Sequence, residues 1–281
     1  MISQLKNGAQ WASRRTTGRY AGLMVLATVL ALGGLTATPR TADAAGAKVV
    51  IVVGPAHSST AKYIDAARRL ASQARSYGAT VHEIYSPNAT LSKVRSVAQG
   101  ANLLIYLGHG NGHPSPYGAF SRYTKDGMGL NRTAGNGHAN LRYYGEYYMS
   151  NYIDLAPNAV VVLNRLCYAS GNSEPGMALP SKATAVKRVD NYGAGFLRTG
   201  ARAVFAEGIA STGFVLSGLF RTGRTMKEIF WSDPTATRSY AFSFSSVRTT
   251  GKKAILDPSR PGKYYRSVIG DLAMTAADWR G

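Results

Sequence analysis

The chain alternates short apolar runs with segments of helical periodicity. The run Lys48–Val53 is apolar after its first residue and ends at Gly54-Pro55, which is typical of a strand buried on both faces. Apolar residues then recur at helical spacing from Ile64 to Ala74. Strands are predicted at 80–85 and 102–107, with a short helix over 90–99 between them. This β-α-β-α-β order predicts parallel strands covered by helices.

The pattern continues after a long irregular stretch. Residues 109–142 are rich in Gly, Asn, Pro and Tyr and carry little periodicity, which predicts a functional loop. Beyond Arg221 the pattern weakens, and short helices with a possible edge strand near 254–256 are predicted. The remaining predicted elements are a helix over 144–154, a buried strand over 159–166 ending at Cys167, a loop over 168–181, a helix over 186–197, a strand over 203–206 and a helix near 212–220.

The pattern also predicts how the chain is divided. The fold class is α/β, a three-layer sandwich with a mostly parallel sheet covered by helices. Residues 46–221 are predicted to form one α/β domain, and residues 222–281 an extension packed on the same domain. Residues 1–45 have the character of a signal peptide, because an apolar run over 21–35 follows a basic start and precedes a small-x-small site at Ala42-Asp43-Ala44.

The signal segment and the charge together suggest an extracytoplasmic protein. The apolar run is shorter than the roughly 20 residues of a membrane span, although an uncleaved membrane anchor is the alternative. Beyond Ala44 the chain carries 28 basic and 13 acidic residues, a formal charge of +15. Anionic cell-wall polymers are therefore candidate partners, and a surface with no specific anionic partner is an equal alternative. Specific nucleic-acid binding is not expected, because the basic residues are dispersed and no nucleic-acid motif is present.

Two reactive side chains follow successive buried strands. His109 comes just after the third strand, and Cys167, the single cysteine, ends the fourth. The carboxyl ends of parallel strands meet at one edge of a sheet, so neighbouring strands would bring the two side chains together. An imidazole can take the proton of a thiol and later protonate a departing amine. The N–H groups of Gly110 and Cys167 are candidates to bind the negative oxygen of a tetrahedral intermediate. The alternative for Cys167 is an inert, buried small hydrophobe.

The same residues carry a resemblance to a known superfamily. A buried strand ending in Leu107-Gly108-His109-Gly110, a second ending in Leu166-Cys167 and the following passage Gly195–Val204 resemble the caspase–gingipain–legumain cysteine peptidases (clan CD) over roughly residues 48–220. The resemblance implies a caspase-like sheet and a secreted endopeptidase that acts on peptides or proteins through a thioester acyl-enzyme. It also implies Cys167 as nucleophile and His109 as general acid/base, with no cofactor.

Other residues were weighed for substrate and metal binding. A pocket for a Lys or Arg side chain needs a carboxylate, and Glu174 and Glu207 lie on loops at the right sheet edge; a solvated or capping role is the alternative for each. A zinc site at His113 and His138, with Asp126 and Glu146 nearby, is less favoured because paired-ligand spacing is missing. His57 is a candidate cleft residue, with a role at the start of a helix as the simpler alternative.

A second function class remains open at this point. The charge of +15 and the tyrosine-rich loops also suit a catalytically inactive module of the same fold that binds anionic cell-envelope polymers. The tyrosines over 143–152 include helical spacings, which favours a packed aromatic face over a carbohydrate platform. A different hydrolase or a transpeptidase using the same His109–Cys167 pair is a third alternative.

Overall fold

A computed structural model describes residues 46–281, without the side chain of His138, so the predicted signal segment lies outside the described residues. The strands are β1 (Lys48–Val53), β2 (Thr80–Tyr85), β3 (Leu103–Leu107), β4 (Met128–Asn131), β5 (Leu141–Tyr144), β6 (Val160–Asn164), β7 (Ala203–Glu207), β8 (Phe242–Ser245), β9 (Lys253–Leu256) and β10 (Arg266–Gly270). The helices are α1 (Thr60–Ser76), α2 (Leu91–Ala98), α3 (Glu146–Tyr152), α4 (Lys182–Leu197), α5 (Gly213–Arg221), α6 (Met226–Phe230) and α7 (Ala276–Arg280).

A central eight-stranded sheet organises the described chain. Its strand order is β2-β1-β3-β6-β7-β10-β9-β8. The five strands from β2 to β7 run parallel, and β10, β9 and β8 then alternate in antiparallel pairs. The predicted α/β class with a mostly parallel sheet is confirmed at this level.

Helices cover both faces of the sheet and make three layers. The side chains of β1 show why, because Val50 and Val52 pack into one core while Val49, Ile51 and Val53 pack into the other. Helices α2, α3 and α4 bury their apolar residues in the first core, and α1, α5, α6 and α7 bury theirs in the second. Strands buried on both faces are expected to be apolar throughout, as the runs in β1, β3 and β6 are.

The structure corrects several boundaries. The fourth strand of the sheet ends at Asn164 instead of running to Cys167, and the predicted loop 109–142 contains a two-stranded hairpin of β4 and β5. The strand predicted near 254–256 exists as β9, but the edge strand is β8. Strand β10 was not predicted, because Arg266 and Ser267 break its apolar pattern although both are buried.

Two further properties concern the whole described range. Across residues 46–281, no helix is both long enough and apolar enough to cross a membrane. The same residues contain no group of three or more His, Cys, Asp or Glu side chains arranged to hold a metal ion.

Candidate active site

Strand pairing brings His109 and Cys167 to one sheet edge. Strands β3 and β6 are hydrogen-bonded neighbours with Leu107 opposite Asn164, which meets the condition for bringing the two side chains to one edge. His109 follows β3, Cys167 follows β6, and both line one open cleft of about 510 Å³. The other residues lining this cleft are His57, Gly110, Asn111, Tyr117, Leu141, Tyr143, Glu174 and Pro175.

Cys167 is carried on a tight turn. Arg165 and Tyr168 on either side of it have φ values of 64° and 73°, a left-handed conformation that costs L-residues about 1–2 kcal/mol each. The Arg165 N–H donates to the Glu207 carbonyl oxygen at 2.6 Å, and the Asn164 side chain donates to the same oxygen at 3.1 Å. Strand β7 therefore holds the turn in place, and backbone strain of this kind is concentrated at functional sites in many proteins.

Gly110 packs directly against the backbone of Cys167. A Cβ atom at residue 110 would collide with the Cys167 carbonyl oxygen and with the Tyr192 hydroxyl. Only glycine fits there, and its small size lets the segment after His109 lie against the segment that carries the thiol. The two residues predicted to supply oxyanion N–H groups are thus neighbours in space.

Buried and aromatic neighbours position His109. The Tyr106 hydroxyl, at the end of β3, lies 3.0 Å from the His109 carbonyl oxygen and accepts the Gly129 N–H of β4 at 2.9 Å. The His57 ring lies edge-on to the His109 ring, with centroids 5.4 Å apart. His57 is therefore both a residue near the start of α1 and a cleft residue.

Glu174 presents a carboxylate to the cleft. Its Oε2 accepts the Tyr117 hydroxyl at 2.7 Å, and its Oε1 accepts the Tyr168 hydroxyl at 2.9 Å. Among residues 46–281, no Lys or Arg forms an ion pair with it. Two neutral donors therefore orient a negative charge that can still bind a cation.

Glu207 lies elsewhere, in a buried ion cluster. Its carboxylate is fully buried and pairs with Arg266 at 3.1 Å; Arg266 also contacts Asp233 at 3.0 Å and Asp257. Burial raises the pKa of Glu207 well above its usual range, although the nearby guanidinium lowers it. Glu207 is not among the residues lining the cleft. Its ion pair with Arg266 accounts for the buried carboxylate, so no substrate is needed to explain it.

The thiol is held in its neutral form. Burial raises the pKa of Cys167 to about 11, the nearby Glu174 carboxylate also raises it, and Arg188 lowers it. Desolvation and a negative neighbour both disfavour the thiolate. At neutral pH the thiol is therefore protonated, so any reaction at sulfur requires a base to remove its proton.

Two buried cations brace the loops around the cleft. The Lys125 ammonium donates to Asn111 Oδ1 at 2.8 Å, to Ser115 Oγ at 3.0 Å and to the Tyr117 carbonyl oxygen at 2.8 Å. These three bonds satisfy an ammonium group that is almost fully buried, although burial lowers its pKa. The loop that follows His109 is thus fixed from within.

Arg188 of α4 joins that loop to the one after Cys167. It donates to the Pro114 carbonyl oxygen at 2.7 Å and to the Asn172 carbonyl oxygen at 2.8 Å, and it stacks over the Tyr168 ring at 4.7 Å. A planar guanidinium can bond and stack at once, which suits it to this position. One side chain therefore sets the spacing of both walls of the cleft.

The two carboxylates considered for zinc, Asp126 and Glu146, have other partners. Asp126 is fully buried and accepts the backbone N–H of His113 at 3.0 Å, while Glu146 pairs with Arg248 at 2.8 Å. Burial raises the pKa of Asp126 to about 8, and the nearby Glu146 raises it as well. Asp126 therefore supports the loop after His109, and Glu146 is held by an arginine.

Sequence reasoning missed the aromatic residues of the cleft. Tyr117 lies in the irregular loop and Tyr143 on β5, and neither belongs to a recognisable motif. The only available signal was the tyrosine content of the long loop.

Comparison with known proteins does not assign the chain to a family. No protein-family model matches the sequence, and no curated protein matches it significantly. What the cleft does must therefore be inferred from its own residues and geometry.

Proposed function

We propose that the protein is a cysteine endopeptidase that uses His109 and Cys167 as a catalytic dyad. The observation that carries the proposal is the convergence of the two side chains on one cleft from adjacent strand ends. Gly110 adds to it, because its backbone lies against that of Cys167, so the two residues proposed to supply oxyanion N–H groups are neighbours. The resemblance to the caspase–gingipain–legumain superfamily points to the same chemistry.

The proposed reaction starts from the neutral thiol. When a peptide binds, His109 removes the thiol proton and the sulfur attacks the scissile carbonyl carbon. The resulting oxyanion is held by the N–H groups of Gly110 and Cys167. The C–N bond then breaks, the His109 proton passes to the leaving amine, and a thioester remains. Water, deprotonated by His109, attacks the thioester and releases the acid, and the proton returns to sulfur.

Glu174 supports a preference for a basic side chain before the cut bond. Its carboxylate faces the cleft, is oriented by Tyr117 and Tyr168, and has no Lys or Arg partner among the described residues. A guanidinium or ammonium group of the substrate would complete this arrangement with charge-assisted hydrogen bonds.

A peptide library that varies the residue before the cut tests the proposal, with products identified by mass spectrometry. Cleavage after Arg and Lys is expected, and both Cys167→Ala and His109→Ala should reduce it at least about a hundredfold. His82→Ala is the matched control, because His82 is exposed on the edge strand β2. Equal cleavage by the Cys167→Ala variant would refute the proposal.

A binding module without catalysis is the second candidate. The observation that favours it is the formal charge of +15 beyond residue 44, which attracts anionic polymers. Burial of Cys167, which raises the thiol pKa to about 11, agrees with it, because the thiolate is the nucleophile. Under this alternative the library stays uncut while anionic cell-envelope polymers bind, and binding by Cys167→Ala equals that of the parent.

A further inference from the structure

A row of tyrosine and arginine side chains lies over α3, away from the cleft. We call it the tyrosine–arginine face, and its members are Tyr123, Tyr147, Tyr148, Tyr152, Arg95 and Arg122. The Tyr148 and Tyr152 rings stack with centroids 5.8 Å apart, and Tyr123 and Tyr147 follow at 5.0 Å. Tyr123 is 52% exposed, and none of the six residues lines the cleft. The packed aromatic face predicted for the tyrosines over 143–152 is thus extended to solvent by Tyr123.

The two arginines lie over the faces of these rings. Arg95 lies 4.9 Å from the centroid of Tyr152, and Arg122 lies 4.7 Å from that of Tyr147. Neither forms an ion pair with a carboxylate among residues 46–281. A stacked guanidinium keeps its N–H groups at the rim, where they can bind carboxylate or phosphate oxygens. Both cations are thus positioned while their hydrogen-bonding capacity remains available.

A polar groove continues the face at one end. It has a volume of about 700 Å³ and is bordered by Arg95, Ser96, Asn151, Tyr152 and Arg198. Gln99 joins two segments of its lining, because its side chain donates to the Tyr152 carbonyl oxygen at 2.8 Å and accepts the Asp154 N–H at 2.9 Å. Hydroxyl, amide and guanidinium groups therefore surround an aromatic surface, which is a suitable lining for a hydroxyl-rich ligand.

We infer that the tyrosine–arginine face and this groove bind an acidic polysaccharide. Sugar rings would pack their C–H groups on the exposed Tyr123 ring, while Arg95 and Arg122, which lie over Tyr152 and Tyr147, would bind the carboxylate or phosphate groups. The charge of +15 beyond residue 44 favours an anionic polymer over a neutral one. The site does not depend on the peptidase reaction, because it shares no residue with the cleft.

Binding of purified polymers to the purified protein tests this inference. The probes are polygalacturonate for carboxylates, phosphomannan for phosphates, dextran as the neutral polymer and poly(dT) as the nucleic acid. The variant Arg95→Gln/Arg122→Gln should weaken binding of the acidic polysaccharides by about tenfold or more. Cleavage of short peptides, where present, should be unchanged. Binding of one acidic polysaccharide alone would identify its charged group as the preferred one.

The matched control is Lys62→Gln/Arg69→Gln. It removes the same charge from exposed positions of α1, which covers the opposite face of the sheet. If this control lost as much affinity, the weaker binding would be due to the lower net charge alone, and the inference would be overturned. Equal binding of dextran, tighter binding of poly(dT) at the same salt concentration, or failure of both acidic polysaccharides to bind would also overturn it.

Discussion

Two neighbours of opposite charge control the ionisation of Cys167. Burial and the Glu174 carboxylate raise the thiol pKa, and Arg188 lowers it. Replacing Glu174 by Gln keeps an oxygen acceptor for a tyrosine hydroxyl but removes the negative charge. The thiolate then becomes easier to form, so the thiol pKa falls and more thiolate is present at a given pH.

The pH dependence of thiol alkylation measures this effect. In the parent, the iodoacetamide rate should still rise above pH 9, because the pKa of Cys167 is about 11. We expect Glu174→Gln to raise the rate at pH 8 several-fold. Asp65→Asn is the control, since Asp65 is exposed on α1 beside Arg68. A lower rate in Glu174→Gln would contradict the placement of this charge beside the thiol.

A second prediction concerns Gly110, where a single added methyl group would not fit. Because an added Cβ would collide with the Cys167 carbonyl oxygen, Gly110→Ala must move one of the two backbones. We expect a loss of about 3 kcal/mol in the free energy of unfolding, measured by urea denaturation, and a loss of the proposed peptidase activity. Gly137→Ala should behave like the parent, because no atom lies within 4 Å of its added Cβ.

At the scale of elements, Arg188 connects two loops that no regular element joins. Arg188→Met keeps much of the apolar stem but leaves the carbonyl oxygens of Pro114 and Asn172 without their donor. We expect a loss of about 2–4 kcal/mol in unfolding free energy. Hydrogen exchange should rise in both 109–125 and 168–181. Lys187→Met, at the exposed neighbouring position, should leave both loops protected; increased exchange in one loop only would contradict the bracing role.

The elements also separate what sequence could predict from what it could not. Strands β1, β3 and β6 are continuous apolar runs because both their faces are buried, so the parallel part of the sheet and the sheet edge that holds His109 and Cys167 were predictable. Strand β10 was not predictable, because its Arg266 is buried through ion pairs with residues distant in sequence, which a local pattern does not reveal. Tyr117 and Tyr143 reach the cleft through loop and hairpin geometry, which periodicity does not encode.

At the scale of the whole molecule, one ion cluster connects the parallel and antiparallel parts of the sheet. Arg266 of β10 lies opposite Glu207 of β7 in the strand register, contacts Asp233 and Asp257, and donates to the Phe230 carbonyl oxygen. The parallel part therefore depends on residues beyond 221 for a counter-ion as well as for a neighbouring strand. An isolated 46–221 segment would expose β7 as an unpaired edge.

Replacing Arg266 by Met tests how far the fold depends on this cluster. Three buried carboxylates would lose the cation that they share within residues 46–281, so we expect a loss of about 3–5 kcal/mol in unfolding free energy at pH 8. The pKa of Glu207, already raised by burial, should rise further without the guanidinium. The folded state then holds protons that the unfolded chain has released, so stability falls as pH rises above about 4.

The destabilisation should therefore be smaller at pH 5 than at pH 8, which urea denaturation at the two pH values can measure. Arg260→Met is the matched control, because Arg260 is exposed in the same C-terminal region, and it should change stability by less than about 0.5 kcal/mol at either pH. An equal loss at both pH values would mean that Arg266 acts through packing on Phe230 and not through the carboxylates. Because the antiparallel strands supply the cation that pairs with a carboxylate of the parallel strands, both parts of the sheet should unfold together, in a single transition.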